Sequence, residues 1–232
     1  MTGTATRAAG RGAGSDEVPF DTSGSTGAAR RWFRLPRQME REVELIGTHL
    51  VGPVDQVITY APPQHLFGAL FGQWLPRTAG IPVHHAWTDP FAPLPIRSGA
   101  RVLVVCVPMA WSLLHRGRPA LERARSVVAL HSAAAPPPAA HRLVRRAAPL
   151  LRAFELLGST ETGGIAHRPV APEGSVAAPW RALPERDPAV GHRRPAGTRA
   201  GTGRPQPPAG PSGGRDPPAR PLGHRRPRRV HR

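Results

Sequence analysis

The sequence first offers chemistry at Thr22-Ser23-Gly24-Ser25-Thr26-Gly27, an unbroken run of small residues. Glycines let backbone amides approach an anion closely, and the hydroxyls of Thr22, Ser23, Ser25 and Thr26 can donate to phosphate oxygens. The glycine spacing and the missing Lys-Ser/Thr exclude a Walker loop, and the same composition also suits a flexible linker. A second stretch, Leu156-Leu157-Gly158-Ser159-Thr160-Glu161-Thr162-Gly163-Gly164-Ile165-Ala166, follows an apolar strand, where open α/β sheets place ligand loops. There Glu161 offers a carboxylate for a Mg²⁺ that bridges phosphates, and Thr160 a hydroxyl for an α-phosphate. The bland alternative is that Thr160 and Glu161 simply open a turn or cap.

Other chemistries are poorly supplied. The chain has 11 His, but none stands at metal-ligand spacing from acids or cysteine. A single cysteine, Cys106, excludes a disulfide framework and a cysteine-based zinc site, and its apolar neighbours make it a core residue. No Gly-x-Ser-x-Gly elbow is present, which argues against a serine hydrolase. The apolar run from Val102 to Trp111 is interrupted by Pro108 and too short to span a bilayer, and residues 1–15 lack a hydrophobic signal core. The expectation is a cytoplasmic protein with no membrane partner.

An alternating α/β pattern must position these loops. Pro36 opens a helix whose apolar face carries Met39, Val43, Ile46 and Leu50. Gln56 to Tyr60 reads as a strand. Leu66, Phe67, Leu70, Phe71, Trp74 and Leu75 form a helical stripe that ends by Gly80 and Pro82. Arg101–Val107 and Ser126–Leu130 read as strands buried on both faces, Met109–Leu114 as a short helix, and Ala139–Leu151 as a basic amphipathic helix. Phe154–Leu157 is the last strand before the second glycine turn. Trp32, Phe33 and the arginines from Arg30 to Arg37 read as a solvated helix entry. Strands separated by helices imply a mostly parallel sheet with flanking helices.

The composition divides the chain. All 32 basic residues are arginine, and the formal charge is +17. Residues 191–232 carry +10 of it, with 9 Pro, 8 Gly and no aromatic residue. Such a segment cannot bury enough area to offset its ordering entropy, so residues 186–232 are expected to be disordered and 1–18 flexible. The change of composition near residues 182–192 looks like GC-rich coding sequence read out of frame. Tail arginines such as Arg225, Arg226, Arg228 and Arg229 offer non-specific phosphate neutralisation, but without interleaved aromatics nucleic acid is not the expected partner.

Taken together, the two glycine stretches and Pro62-Pro63-Gln64-His65-Leu66-Phe67-Gly68 resemble, in order, three motifs of the adenylate-forming, AMP-binding synthetases and acyl-CoA ligases. The resemblance covers roughly residues 19–180, and the longer run Gly158–Ala166 is most similar to acyl- or aryl-activating members. It implies a partial copy of the large N-terminal α/β domain over residues 19–185. The implied reaction is ATP-dependent formation of an acyl-adenylate, then transfer to CoA or to the phosphopantetheine thiol of an acyl carrier protein. On this resemblance Thr22, Ser23, Gly24, Ser25, Thr26 and Gly27 bind the nucleotide, with Ser23 to Gly27 cradling the β- and γ-phosphates. Gly158, Ser159 and Thr160 also bind the nucleotide, Thr160 contacting the AMP phosphate, while Glu161 holds Mg²⁺ and His65 positions the carboxylic acid. Departures are concrete: Leu157 replaces the usual aromatic, and Ala28-Ala29-Arg30 replaces the usual Pro-Lys continuation, leaving Arg30 or Arg31 to supply charge. The chain contains no lysine, the residue type that promotes adenylation in this family. An inactive, degenerate synthetase and a nucleic-acid-binding tail are therefore the alternatives to a working ligase.

Overall fold

The computed structural model describes residues 17–22 and 30–184. The expectations for Ser23, Gly24, Ser25, Thr26 and Gly27, for the first residues of the chain and for the arginine-rich tail lie outside them. The first elements are β1 (Val18–Thr22) and β2 (Arg30–Arg34), an antiparallel hairpin in which Val18 pairs with Arg34 and Thr22 with Arg30. Residues 30–34 are thus a strand and not the solvated helix entry expected from their charge. Alternation decides it: Arg34 is buried while Arg31 and Phe33 face solvent.

Leu35 stays extended, and Pro36 then opens α1 (Pro36–Ile46), where a fixed φ and a missing N–H suit the first turn. The Gln38 side chain accepts a hydrogen bond from the Leu35 amide at 3.0 Å, closing that end. A wide turn, Gly47–Val51, prolongs the helix until Gly52 leaves it at φ 74°. After β3 (Gln56–Thr59) come α2 (Leu66–Ala69), a second wide turn (Leu70–Trp74) and α3 (Leu75–Ala79), a continuous helical stretch stopped by left-handed Gly80. The remaining elements are β4 (Val83–His85), β5 (Arg101–Cys106), α4 (Ala110–Arg116), α5 (Arg118–Leu121), β6 (Ser126–His131) and α6 (Pro138–Ala147). They are followed by β7 (Leu151–Ser159), β8 (Gly163–Pro169) and β9 (Arg181–Ala182).

Among the described residues, seven strands form one sheet in the order β4-β3-β5-β6-β7-β8-β9. The first five run parallel, and β8 and β9 add antiparallel at the far edge. Successive side chains of β5 serve opposite layers. Val102, Val104 and Cys106 pack with Trp111, Leu114 and Leu143, while Leu103 and Val105 pack with Ile46, Leu70 and Phe71. Two-sided burial is why β5 and β6 read as unbroken apolar runs.

Two boundaries differ from the sequence reading. The basic helix stops at Ala147, because Ala148 precedes Pro149 and is extended at ψ 143°. Leu151, assigned to that helix, instead begins β7. At the amino-terminal end of the parallel strands the Asp55 carboxylate receives the Arg101 amide at 2.8 Å and its guanidinium at 2.6 and 2.9 Å. No helix among the described residues is long and apolar enough to cross a membrane.

Candidate functional site

The carboxyl-terminal ends of β3, β6 and β7 open onto a cavity of about 220 Å³. One wall is apolar and comes from the helices, with Ile46, Leu66, Phe67, Leu70 and Phe71. Leu156–Thr160 with Gly163 and Gly164 also line the cavity, as do Ser132 and Ala133. His65, Gly158, Ser159 and Thr160 therefore meet at one cavity. Glu161 is partly exposed on the turn beside it and does not line it. Thr22 ends β1, where its hydroxyl donates to the Arg30 carbonyl at 3.2 Å, and it too stands outside the cavity wall.

His65 is exposed and extended, at φ −97° and ψ 140°, and its carbonyl accepts the first helical bond of α2 from Ala69 at 2.9 Å. The glycine three residues on has a packing reason. A β-carbon at Gly68 would lie 2.1 Å from the Pro62 carbonyl oxygen, so only glycine lets α2 lie against the loop that presents His65. Gly158 is comparable: a β-carbon there would lie 2.3 Å from the Gly163 carbonyl oxygen, where the β7–β8 pairing shifts register.

The turn between β7 and β8 is held by its own hydroxyls. Ser159 N–H donates to Thr162 Oγ1 at 3.2 Å, Thr162 N–H donates to Ser159 Oγ at 3.2 Å, and Thr162 Oγ1 reaches the Gly163 carbonyl at 2.9 Å. The Ser159 hydroxyl and a backbone amide hold the Glu161 carboxyl below its ordinary range, with Arg34 and Arg30 adding to the effect. Of the two cations offered after the first glycine stretch, Arg31 is committed to Asp21 through bonds of 2.8 and 3.1 Å. Arg30 is the one whose field reaches Glu161.

Residues not singled out in the sequence also build the site. The Arg34 guanidinium donates to the Thr160 carbonyl at 2.7 and 3.2 Å, and Glu42 Oε1 accepts the Gly164 amide at 2.7 Å. Glu42 had a visible signal, a carboxylate within the Met39–Val43–Ile46 apolar stripe; Arg34 stood in an arginine cluster and had none. Ala133 has φ 90°, a conformation costing roughly 1–2 kcal/mol for a residue with a β-carbon. Behind it, buried His131 receives the Trp111 indole N–H at Nδ1 (3.0 Å), so its Nε2 carries the proton and donates to the Ala134 carbonyl at 2.8 Å. Burial lowers the His131 pKa, which keeps this neutral form. No cluster of three or more His, Cys, Asp or Glu suited to a metal occurs among the described residues.

No family model matches the chain. Two curated relatives are 4-coumarate–CoA ligases. That of Halorhodospira halophila is 31% identical over 155 residues, covering 65% of this chain and 37% of the relative. That of Rhodobacter capsulatus is 34% identical over 161 residues, covering 66% and 39%. The chain thus spans 37–39% of the length of the curated relatives it matches. Among solved structures, an AMP-forming acyl-CoA synthetase/AMP-acid ligase II-like protein of Dyadobacter fermentans superposes with a TM-score of 0.54 at 18% identity, covering 74% of this chain and 49% of that one. Apo MatB of Rhodopseudomonas palustris does so with a TM-score of 0.51 at 19% identity, covering 84% and 40%. The structural likeness carries the fold, and the curated relatives carry a sequence likeness to AMP-forming CoA ligases: in both, the chain resembles the adenylate-forming, AMP-binding synthetase family.

Proposed function

We propose that this chain serves ATP-dependent activation of a carboxylic acid as its acyl-adenylate, followed by transfer of the acyl group to the thiol of CoA or of a carrier protein's phosphopantetheine, in the cytoplasm. In the first step a carboxylate oxygen bonds to the α-phosphorus and the bond to pyrophosphate breaks. In the second the thiol sulfur bonds to the acyl carbon and AMP leaves with the electron pair of the carbon–oxygen bond. One observation carries the reading: one cavity is lined by apolar helix residues, by His65 and by Ser159 and Thr160.

The apolar wall takes the body of the acid and excludes water, while His65 orients its carboxylate. Thr160 contacts the nucleotide α-phosphate, and Ser23 to Gly27 cradle the outer phosphates. Glu161 fits a hard divalent cation, being ionised, partly exposed and the acid of the turn; Mg²⁺ usually takes one or two carboxylates and otherwise phosphate and water. Bound there, Mg²⁺ would neutralise charge on the phosphates. Arg30 supplies positive charge next to the first glycine loop. The same reading assigns residues 19–185 to the synthetase portion. The names of the curated relatives make a planar aryl acid the first substrate to try.

The test is ATP–pyrophosphate exchange with 4-coumarate, benzoate and octanoate, alongside calorimetry with MgATP. Carboxylate-dependent exchange supports the proposal. MgATP binding without exchange on any acid supports the degenerate synthetase instead, and neither binding nor exchange removes both.

A further inference from the structure

Arg34 and Glu42 are each only 3% exposed, an unusual place for two full charges. Burying a charge is expensive unless its hydrogen bonds are good, so such residues mark places where position matters. Both side chains reach the same short turn. Arg34, at the end of β2, holds the Thr160 carbonyl through two N–H groups, and Glu42, in α1, holds the Gly164 amide. The cation thus takes an acceptor on one side of Glu161 and the anion takes a donor on the other. Both grips come from β2 and α1, the first two described elements after residue 29. The hairpin and the β7–β8 turn are therefore tied to one another main chain to side chain, by partners far apart in sequence.

We infer that Arg34 and Glu42 are positioning residues, a cation–anion pair that grips both ends of the Thr160–Gly164 turn and sets where Thr160 and Glu161 stand relative to the cavity. The inference rests on the adenylation reading above. Arg34 stands outside the cavity lining, and Glu42 reaches the lining where its carboxylate accepts the Gly164 amide. The Arg34 fork, with two N–H groups on one carbonyl, is a geometry an ammonium cannot reproduce. The Glu42 grip needs one acceptor oxygen, which an amide also provides.

The experiment uses the full chain and compares Arg34→Met, Arg34→Lys, Glu42→Leu and Glu42→Gln with an exposed control on α3, Arg77→Ala. MgATP affinity, the KM for ATP and the maximal rate of pyrophosphate exchange are measured, together with amide hydrogen exchange over residues 158–165. Groups that orient a binding or reacting residue typically contribute about 10–100-fold. Arg34→Met and Glu42→Leu should therefore weaken MgATP binding and exchange by at least about tenfold. They should also speed amide exchange at Gly163 and Gly164 while the remaining amides keep their protection. Glu42→Gln should return most of the loss, and Arg34→Lys should not. Unchanged affinity and rate in folded Arg34→Met and Glu42→Leu protein would overturn the inference, leaving the pair as fasteners of the fold. Should the unmodified chain neither bind MgATP nor exchange pyrophosphate, the adenylation reading falls and the positioning role with it. If a leucine or methionine variant fails to fold, Glu42→Gln and Arg34→Lys decide by the same readouts.

Discussion

The two ends of the parallel sheet are built on opposite policies. At the amino-terminal end, the charged residues form a half-exposed pair, Asp55 with Arg101, and the chain turns through glycines with room around them. Gly99, at φ 73°, has no heavy atom within 4 Å of a would-be β-carbon. At the carboxyl-terminal end, charges are buried, Gly68 and Gly158 sit against backbone, and Ala133 adopts a positive φ. One end satisfies its groups cheaply and tolerates change. The other holds costly arrangements in place, which is where open α/β sheets keep their ligand sites.

The largest expected effect comes from testing the glycines of the two ends against each other. Gly68→Ala should destabilise the chain by about 3 kcal/mol or prevent folding, as expected for overpacking against backbone that cannot yield. Gly99→Ala should cost only about 1 kcal/mol, from left-handed backbone strain alone. Urea denaturation followed by far-UV circular dichroism measures both, and equal costs would erase the contrast.

Acidification should separate the ends by pH window. His131 is held neutral, with its folded pKa below the ordinary 6.5, and His167 is lowered likewise. The stability they contribute is complete above 6.5 and is lost as pH falls below it, because the unfolded chain takes up those protons first. Asp55 is held far below the ordinary 3.8 by Arg101, so its contribution stays complete until pH falls below 3.8. Urea midpoints should therefore decline between pH 7 and 5, and His131→Asn should flatten that decline. An identical slope in His131→Asn would show that this histidine does not titrate with folding.

The smallest effect is expected at Asp21–Arg31, whose side chains are 58% and 62% exposed. Arg31→Ala should leave the urea midpoint unmoved, since exposed pairs are screened by water and salt. A measurable shift would mean that the β1–β2 hairpin depends on a surface pair and not on its buried Arg34.

The elements legible in the sequence were those whose burial is continuous. β5 and β6 present apolar side chains to both helical layers, and α1 carries its stripe on one side, so periodicity revealed them. β2, β4 and β8 were not legible for different reasons. β2 is Arg-Arg-Trp-Phe-Arg, whose charge masked its alternation; β4 has three residues, two of them histidine; β8 opens on two glycines. Of the candidate site, His65, Gly158, Ser159 and Thr160 were named from motif order and meet at the cavity. Ser132 and Ala133 at the cavity, and Arg34 behind the Thr160 carbonyl, were missed because pairing topology alone brings them there, and Glu42 was passed over although its carboxylate stands in the α1 apolar stripe.

The grip on the β7–β8 turn also has a consequence in time. Arg34 closes on Thr160 across 126 residues, and Glu42 on Gly164 across 122. The entropy of closing so long a loop must be met before either bond can form, so both belong to the last steps of folding. A chain emerging from the ribosome can lay down β3, β5 and β6 with the helices between them before the β7–β8 turn exists for Arg34 and Glu42 to grip. The turn that completes the cavity wall is then also the event that gives Arg34 the Thr160 carbonyl and Glu42 the Gly164 amide.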